Sequence, residues 1–199
     1  MKPTETVVIR YGNTNTFYIP AKNGGLLVDT DYAGTLPAFY KAIKAAGIEV
    51  KDITYLLATH YHPDHIGLTG ELQDMGAKLI VADVQVNSVH FADKLYYRDN
   101  TQFFPVNLNK AEVVSCEGSR KALKKIGISG EIIPTPSHSK DSVTLLLDNG
   151  ECFVGDLEPR EYLSAYRGDE SPELKKDWAE IMKHKPKKVY YGHANSKTV

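Results

Sequence analysis

Four potential metal ligands fall within six residues of this chain, directly after an apolar run. The cluster His60-Tyr61-His62-Pro63-Asp64-His65 follows residues 53–58, which have the length and composition of a buried strand. Neutral imidazole and carboxylate are ligands that borderline divalent metals such as zinc accept. The cluster therefore predicts a metal site at the end of a strand, and the fold must bring the remaining ligands to that point.

Three later residues each lie just beyond another β-like run: His138 after 131–133, Asp156 after 152–154, and His193 after 189–191. If these strands lie side by side, their exits form one rim on which the ligands converge, and rigid strands with short loops hold such a geometry. Gly155 and Gly192 directly precede two of these ligands. Each glycine would let the backbone turn sharply or approach closely beside a ligand.

The seven candidate ligands divide into two metal positions with a bridging residue: His60, His62 and His138 at the first, Asp64, His65 and His193 at the second, and Asp156 between them. Two divalent cations, two carboxylates and a bridging hydroxide would leave about one net positive charge to polarise a substrate oxygen. Such a pair of metals would also lower the pKa of a shared water enough to make hydroxide near neutral pH.

Three further polar residues are not among the seven candidate ligands. His90 and His184 are isolated, and we expect them to be surface or capping residues. Asp29 follows the run 26–28 and is a candidate for orienting the cluster loop from behind the ligands, with a helix-cap or turn role as the open alternative.

Composition favours one globular domain over residues 1–199. Twenty-four Lys and Arg against twenty-five Asp and Glu give a net charge of −1, which offers no electrostatic reason for a nucleic-acid or membrane partner. A small-molecule substrate is expected, and the oligomeric state is left open. Cys116 and Cys152 lack Cys-x-x-Cys spacing and are expected as buried free thiols. Without a cleavable apolar leader or a membrane-length run, a cytoplasmic location is expected.

The order of elements suggests two sheets with helices outside them. Helical spacing predicts helices over 36–46, 68–75, 119–126 and 173–183. Residues 83–108 are rich in aromatics and are expected to be less regular than the rest of the chain. The stretch 91–104 and the segment 162–166 are expected either to overhang the metals and shape a substrate pocket or to pack on the sheets.

Several motifs, in order, resemble those of the metallo-β-lactamase superfamily: Asn15-Thr16-Phe17-Tyr18-Ile19, Asp29, Thr59-His60-Tyr61-His62-Pro63-Asp64-His65-Ile66-Gly67, Thr135-Pro136-Ser137-His138, Gly155-Asp156 and Gly192-His193. The resemblance covers nearly the whole chain. It implies an α/β (α+β) fold, a four-layer αββα sandwich with the metals at one edge of the sheets. It also implies the same metal assignments as the residue chemistry.

Departures from individual branches narrow the expected activity. Asp156 resembles the bridging aspartate of the glyoxalase II, lactonase and RNase Z branches, whereas the true β-lactamase branch usually has a cysteine there, so antibiotic hydrolysis is not expected. His62 stands where the flavodiiron branch has a glutamate. A helical extension for a glutathione thioester and a basic arm for transfer RNA are not expected either. Ser137 and the run Ser139-Lys140-Asp141 differ from the hydrolase pattern, which leaves substrate preference open.

These observations predict a metal-dependent hydrolase with two divalent ions, zinc first, with iron or manganese as alternatives. A metal-bound hydroxide would cleave an ester, thioester or lactone, with a phosphodiester less favoured, and the catalytic residue Asp64 would hold or relay its proton. Two alternatives stay open at this point. One is an oxidoreductase like the mononuclear iron persulfide dioxygenases of this superfamily, and the other is a non-catalytic metal-bound module that binds a ligand.

Overall fold

The computed structural model describes residues 3–164 and 171–199. Within these residues the strands form a six-stranded sheet and a five-stranded sheet. The first sheet has the order β1-β2-β3-β4-β5-β6, with bounds Val7–Arg10, Asn15–Ala21, Gly24–Val28, Ile53–Leu57, Lys78–Ala82 and Ala111–Val114. The second has the order β11-β10-β9-β8-β7, in which β7 to β11 are Gly130–Pro134, Val143–Leu147, Glu151–Phe153, Lys188–Tyr190 and Lys197–Thr198.

Helices cover the outer face of each sheet. In the described residues they are α1 Leu36–Ala45, α2 Pro63–Ile66, α3 Thr69–Asp74, α4 Phe91–Arg98, α5 Ser119–Lys125 and α6 Pro172–Lys183. Phe39 and Ile43 of α1 are buried in the core on the outer face of the first sheet. Trp178 and Ile181 of α6 are buried in the core on the outer face of the second sheet.

The apolar run at the end of β3 reflects the burial of this strand on both of its faces. Leu26 and Val28 belong to the core between the sheets, whereas Leu27 belongs to the core beneath the helices of the first sheet. Both faces of this strand are therefore buried, which is why its sequence is continuously apolar and not alternating. The expected four-layer αββα sandwich is confirmed.

The strands that precede the later ligands all end at the same edge. β7 and β9 are both antiparallel to β8, and β9 is parallel to β10, so the three strands run in one direction. β4 belongs to the other sheet, where it is parallel to β3 and β5. The strands that end at the predicted rim therefore come from both sheets, and they are not all neighbours of one another.

One local prediction was wrong. Residues 83–108 are more regular than expected, because they contain a 3₁₀ turn, Asp83–Ser88, and helix α4. Ala92 and Tyr96 of α4 are buried one turn apart, but Phe91 and Tyr97 are exposed, so aromatic residues on both faces conceal the helical period.

Other features agree with the sequence. Cys152 is buried and Cys116 partly buried, and both are free thiols. Among the helices of the described residues, none has the length and apolar character needed to cross a membrane.

Candidate metal centre

The cluster loop leaves β4 and turns immediately into the short helix α2. His62 has an extended backbone conformation at the N-cap of α2, and Pro63 occupies the first helical position, where its missing N–H costs nothing. Asp64 and His65 therefore point from a helical turn, while His60 and His62 come from extended chain. This change of backbone lets four residues in a six-residue segment face more than one metal position.

All seven predicted ligands lie at this edge. The structure groups their ligand atoms into three sets, within each of which the atoms lie within 4.8 Å of one another: His60, His62 and His138; His60, His65 and Asp156; and Asp64, His65 and His193. The first and third sets have the composition predicted for the two metal positions. The roles of these residues as ligands remain a prediction.

The first position consists of three imidazoles. Nε2 of His138 lies 3.2 Å from Nδ1 of His62, and the rings of His60 and His62 have centroids 4.4 Å apart. Burial lowers the pKa of His60 and also that of His138. Both rings are therefore neutral near pH 7, which is the form that binds a metal.

The second position combines a carboxylate with two imidazoles. Oδ2 of Asp64 lies 3.1 Å from Nε2 of His193 and 4.0 Å from Nε2 of His65. Burial would raise the pKa of Asp64, but His193 and His65 lower it below its usual value. Asp64 is therefore ionised near neutral pH.

Asp156 lies between the two positions, as predicted for a bridging residue. Its Oδ2 is 3.3 Å from Nε2 of His193, 3.8 Å from Nε2 of His138 and 3.9 Å from Nε2 of His60. Its Oδ1 is 3.2 Å from Nε2 of His65. Burial would raise the pKa of Asp156, but the neighbouring histidines lower it, so this residue is a carboxylate.

Unpartnered atoms show that this donor set fits divalent metal ions. Nε2 of His60 is buried and makes no hydrogen bond with the described residues, and buried Nε2 of His65 and Oδ1 of Asp156 have only each other, 3.2 Å apart. A buried polar atom without a partner is costly, and metal coordination would satisfy all three. Nitrogen and carboxylate oxygen donors without thiolate suit zinc, iron and manganese.

Asp29 orients the ligands from behind, which confirms one of its two predicted roles. Its Oδ2 lies 2.9 Å from Nδ1 of His65, and Oδ1 accepts a 2.6 Å hydrogen bond from the backbone N–H of Thr59. Burial alone would lower the pKa of His65, but the charges of Asp29 and Asp156 raise it to about 10. A carboxylate on the far nitrogen directs Nε2 towards the metal position.

A turn between β1 and β2 holds His193, and sequence reasoning did not assign it this role. Nδ1 of His193 donates to the carbonyl oxygen of Asn13 over 3.1 Å, which leaves Nε2 for the metal position. The side-chain amide of Asn15 donates to the carbonyl oxygens of Tyr191 and Ala194, both at 2.8 Å. The only hint in the sequence was Asn15 at the start of a family motif.

The two glycines beside the ligands are required by close approach, as predicted. Gly155 has a φ of +58°, and a Cβ there would lie 2.3 Å from Oγ1 of Thr59. At Gly192 a Cβ would lie 2.5 Å from Oδ1 of Asp156 and 2.8 Å from Cε1 of His65. A side chain at position 192 would therefore displace two candidate ligands.

The two isolated histidines lie outside the cluster, as predicted. His90 contacts Asp93 through Nδ1 at 2.8 Å, and its side chain is 54% exposed. His184 lies 3.3 Å from Glu131. Each faces a carboxylate outside the ligand groups.

One side of the cluster is open to solvent and bordered by aromatic rings. The ring of Phe91 lies 5.5 Å from that of His62, and about half of the Phe91 side chain is exposed. Tyr32 is also about half exposed. The partial burial of its ring and the nearby charges of Asp64, Asp31 and Asp156 raise its pKa. Tyr96 instead packs into the sandwich. The aromatic stretch thus borders the cluster with one ring and packs on the sheet with another, and its part in a substrate pocket stays a prediction, whereas residues 165 and 166 of the second predicted segment lie outside the described residues.

Comparison with known proteins agrees with this fold. A family model described as the metallo-beta-lactamase superfamily matches residues 9–193. The Drosophila melanogaster protein named beta-lactamase-like protein 2 homolog is 25% identical over 188 residues, which are 92% of this chain. This chain spans 59% of the length of that relative.

Two solved structures share the fold at low sequence identity. Protein tm0894 of Thermotoga maritima has a TM-score of 0.71 and 17% identity, covering 98% of this chain and 99% of that chain. TTHA1623, crystallised in a di-iron-bound form, has a TM-score of 0.68 and 20% identity, covering 96% of this chain and 93% of that chain. The family match extends across almost the entire sequence, as the order of the motifs predicted, and the chain belongs to the metallo-beta-lactamase superfamily.

Proposed function

We propose that this protein is a hydrolase that holds two divalent metal ions, zinc in the first instance, and cleaves an ester, thioester or lactone. Membership of the superfamily and the convergent His and Asp groups support a metal-dependent hydrolase-type function. One observation carries the proposal further. Ligand atoms from both sheets meet at one edge, and buried ligand atoms of His60, His65 and Asp156 have no hydrogen-bond partner among the described residues outside the ligand groups.

The chemistry divides between the metals and the chain. Bound at this cluster, divalent ions supply Lewis acidity, which polarises a substrate oxygen and lowers the pKa of water. Asp64 is the residue we assign to proton handling, because it is ionised and only 15% of its side chain is exposed. Its carboxylate would accept the proton that the attacking water releases and return it to the leaving oxygen or sulfur. Asp29 and Asn13 keep His65 and His193 in fixed tautomers throughout.

The open side of the cluster supports a small-molecule substrate. His138 and His193 are 28% and 34% exposed, so a reacting bond can reach the ligand groups from solvent. Phe91 and Tyr32 offer apolar surface beside them. The nearly balanced charge of the chain supplies no excess of cations for a phosphodiester backbone, which is why carbonyl substrates are favoured.

Iron is the alternative metal that a specific observation favours. The donor set contains no thiolate, and the structural neighbour TTHA1623 was crystallised with two irons. An iron-loaded protein could instead consume oxygen and oxidise a persulfide. Metal content and oxygen consumption separate the two functions.

The test begins with protein purified without added metal. We expect about two zinc ions per chain and hydrolysis of members of a panel of thioesters, lactones, aryl esters and aryl phosphodiesters. Metal at about 100 times its dissociation constant should raise the melting temperature by roughly 5 to 11 °C for each site that it occupies. One iron per chain with oxygen consumption would favour the oxidoreductase. No turnover by the metal-loaded protein would favour a binding role.

A further inference from the structure

Gln85 is a fully buried amide that joins two ligand-bearing loops. It lies in the 3₁₀ turn directly after β5, and its Oε1 accepts a hydrogen bond from the backbone N–H of Ala82 at 3.1 Å. Its Nε2 contacts the carbonyl oxygens of Ala58 at 2.9 Å, Thr59 at 3.3 Å and Asp141 at 3.2 Å. Ala58 and Thr59 lead into the cluster loop, whereas Asp141 ends the loop that carries His138.

Asp141 makes a second connection between the same loops. Its Oδ2 accepts a 2.8 Å hydrogen bond from the backbone N–H of Tyr61, which immediately follows His60. The backbone N–H of Val143 donates to the carbonyl oxygen of Thr59, also over 2.8 Å. The chain on both sides of His60 is thus attached to the start of β8 in the other sheet.

These connections act on one metal position more than on the other. The first position takes His60 and His62 from the cluster loop and His138 from the loop that Asp141 ends. The distances among its three nitrogens therefore depend on how the two loops are placed relative to each other. The second position is held from behind by other residues, namely Asp29 on His65 and Asn13 on His193.

We propose that Gln85 and Asp141 are positioning residues for the three-histidine metal position, which they hold in a geometry that binds a divalent ion. This inference rests on the metal centre of the proposed function. It assigns a task to a buried amide and a buried carboxylate that do not themselves face the metal. Removing either one should weaken the first position selectively.

The first test compares Gln85→Met with Gln73→Met, which removes a similar amide elsewhere. Gln73 of α3 is also buried, and its amide bonds the backbone of Asn107 at 3.0 and 2.9 Å. Zinc affinities are measured by competition with a chromophoric chelator. We expect Gln85→Met to weaken one of the two sites by about 10-fold to 100-fold, and Gln73→Met to retain both wild-type affinities.

The affected position is identified in two variant backgrounds. His193→Ala disables the second position, and His138→Ala disables the first. Adding Gln85→Met should weaken the remaining site in the His193→Ala background and change nothing in the His138→Ala background. Absorption of bound cobalt(II) reports the ligand geometry at the remaining site without reference to turnover.

Variants of Asp141 provide a second test of the inference, which does not depend on folding of the Gln85→Met protein. Asp141→Asn keeps an oxygen that can accept the hydrogen bond from Tyr61, whereas Asp141→Ala does not. We expect Asn to preserve the three-histidine site and Ala to weaken it. The inference is overturned if folded Gln85→Met and Asp141→Ala proteins bind both ions as wild type does, or lose both equally. A wild-type protein that binds no divalent metal would overturn the proposed function itself.

Discussion

Nδ1 of His65 lies 2.9 Å from Oδ2 of Asp29, and both side chains are wholly buried. The same Asp29 oxygen accepts a 2.8 Å hydrogen bond from the hydroxyl of Thr59. A single carboxylate therefore fixes the tautomer of one ligand and the position of the residue that precedes another, His60. Groups behind metal ligands are often nearly as important for affinity as the ligands themselves.

Asp29→Asn should lower metal affinity and turnover by about 10-fold to 100-fold. Asp29 has a φ of +58°, a conformation that Asn tolerates well, so the change removes the carboxylate without straining the backbone. Metal titration and kinetics measure the effect. Asp52→Asn is the control, since Asp52 is also buried and accepts a backbone hydrogen bond from Glu49 at 3.0 Å. Equal losses of metal affinity in both variants would contradict the role given to Asp29.

Truncation of a candidate ligand should have a larger effect. We expect His60→Ala and Asp156→Ala each to lose bound metal and at least about 100-fold in turnover, more than the loss of a group behind the ligands. His90→Ala should do neither, because this histidine faces Asp93 on the surface. Metal content per chain and kcat are measured on the three purified variants. Full turnover by Asp156→Ala would refute its bridging role.

The position of the site was predictable because each candidate ligand follows an apolar run. Strand ends gather at one edge of a sheet, so His138, Asp156 and His193 could be expected to meet the cluster even though they are distant in sequence. Asp29 could be suspected for the same reason, since it directly follows β3.

The supporting contacts could not be predicted in the same way. Gln85 acts on backbone carbonyl oxygens of Ala58 and Asp141, and every residue type provides such a carbonyl. Asn15 likewise contacts the carbonyl oxygen of Tyr191, which is 176 positions away. A polar residue after a strand or in a turn has many possible roles, and only the packing of the two sheets selects one.

Metal binding should release protons from the second position and few from the first. Hydrogen bonds and charge from Asp156 and Asp64 raise the pKa of His193 to about 10, and the pKa of His65 is also raised to about 10. Both must lose a proton to bind metal, so these histidines should release about two protons per chain near pH 7.5, in addition to the proton lost by a metal-bound water. Calorimetric titration in buffers of different ionisation enthalpy measures this number. His193→Ala, which disables the second position, should remove both of these protons from the measured number, and the absence of any release by the wild-type protein would contradict the prediction.

The same two groups give the metal-free protein a stability that falls with pH. Because their pKa values are higher in the folded state than the unfolded value of about 6.5, the folded state binds more protons. This stabilisation is fully present below about pH 6.5 and is lost as the pH rises through about 10. Urea unfolding of metal-free protein should therefore show a decreasing free energy of unfolding over that window. The slope should be smaller in His193→Ala, and a slope that does not change would exclude His193 as its source.

Substrate binding should depend on Phe91, whose ring lies 5.5 Å from that of His62 and is about half exposed. A substrate with an apolar group can cover the exposed half of this ring, which is worth about 1.4 kcal/mol, or tenfold in affinity. Phe91→Ala should accordingly raise KM about tenfold for such a substrate while kcat stays within about twofold, because Phe91 is not a ligand.

Tyr97→Ala is the matched control for Phe91→Ala. Tyr97 belongs to the same helix and is 70% exposed, but its ring packs on Phe103, 5.0 Å away, and not on a ligand. We expect wild-type kinetics from this variant. Equal increases in KM for both variants would mean that α4 affects the site through its general packing. A fall in kcat at constant KM for Phe91→Ala would instead show that its ring holds His62 in place, since only interactions made in the transition state change kcat alone.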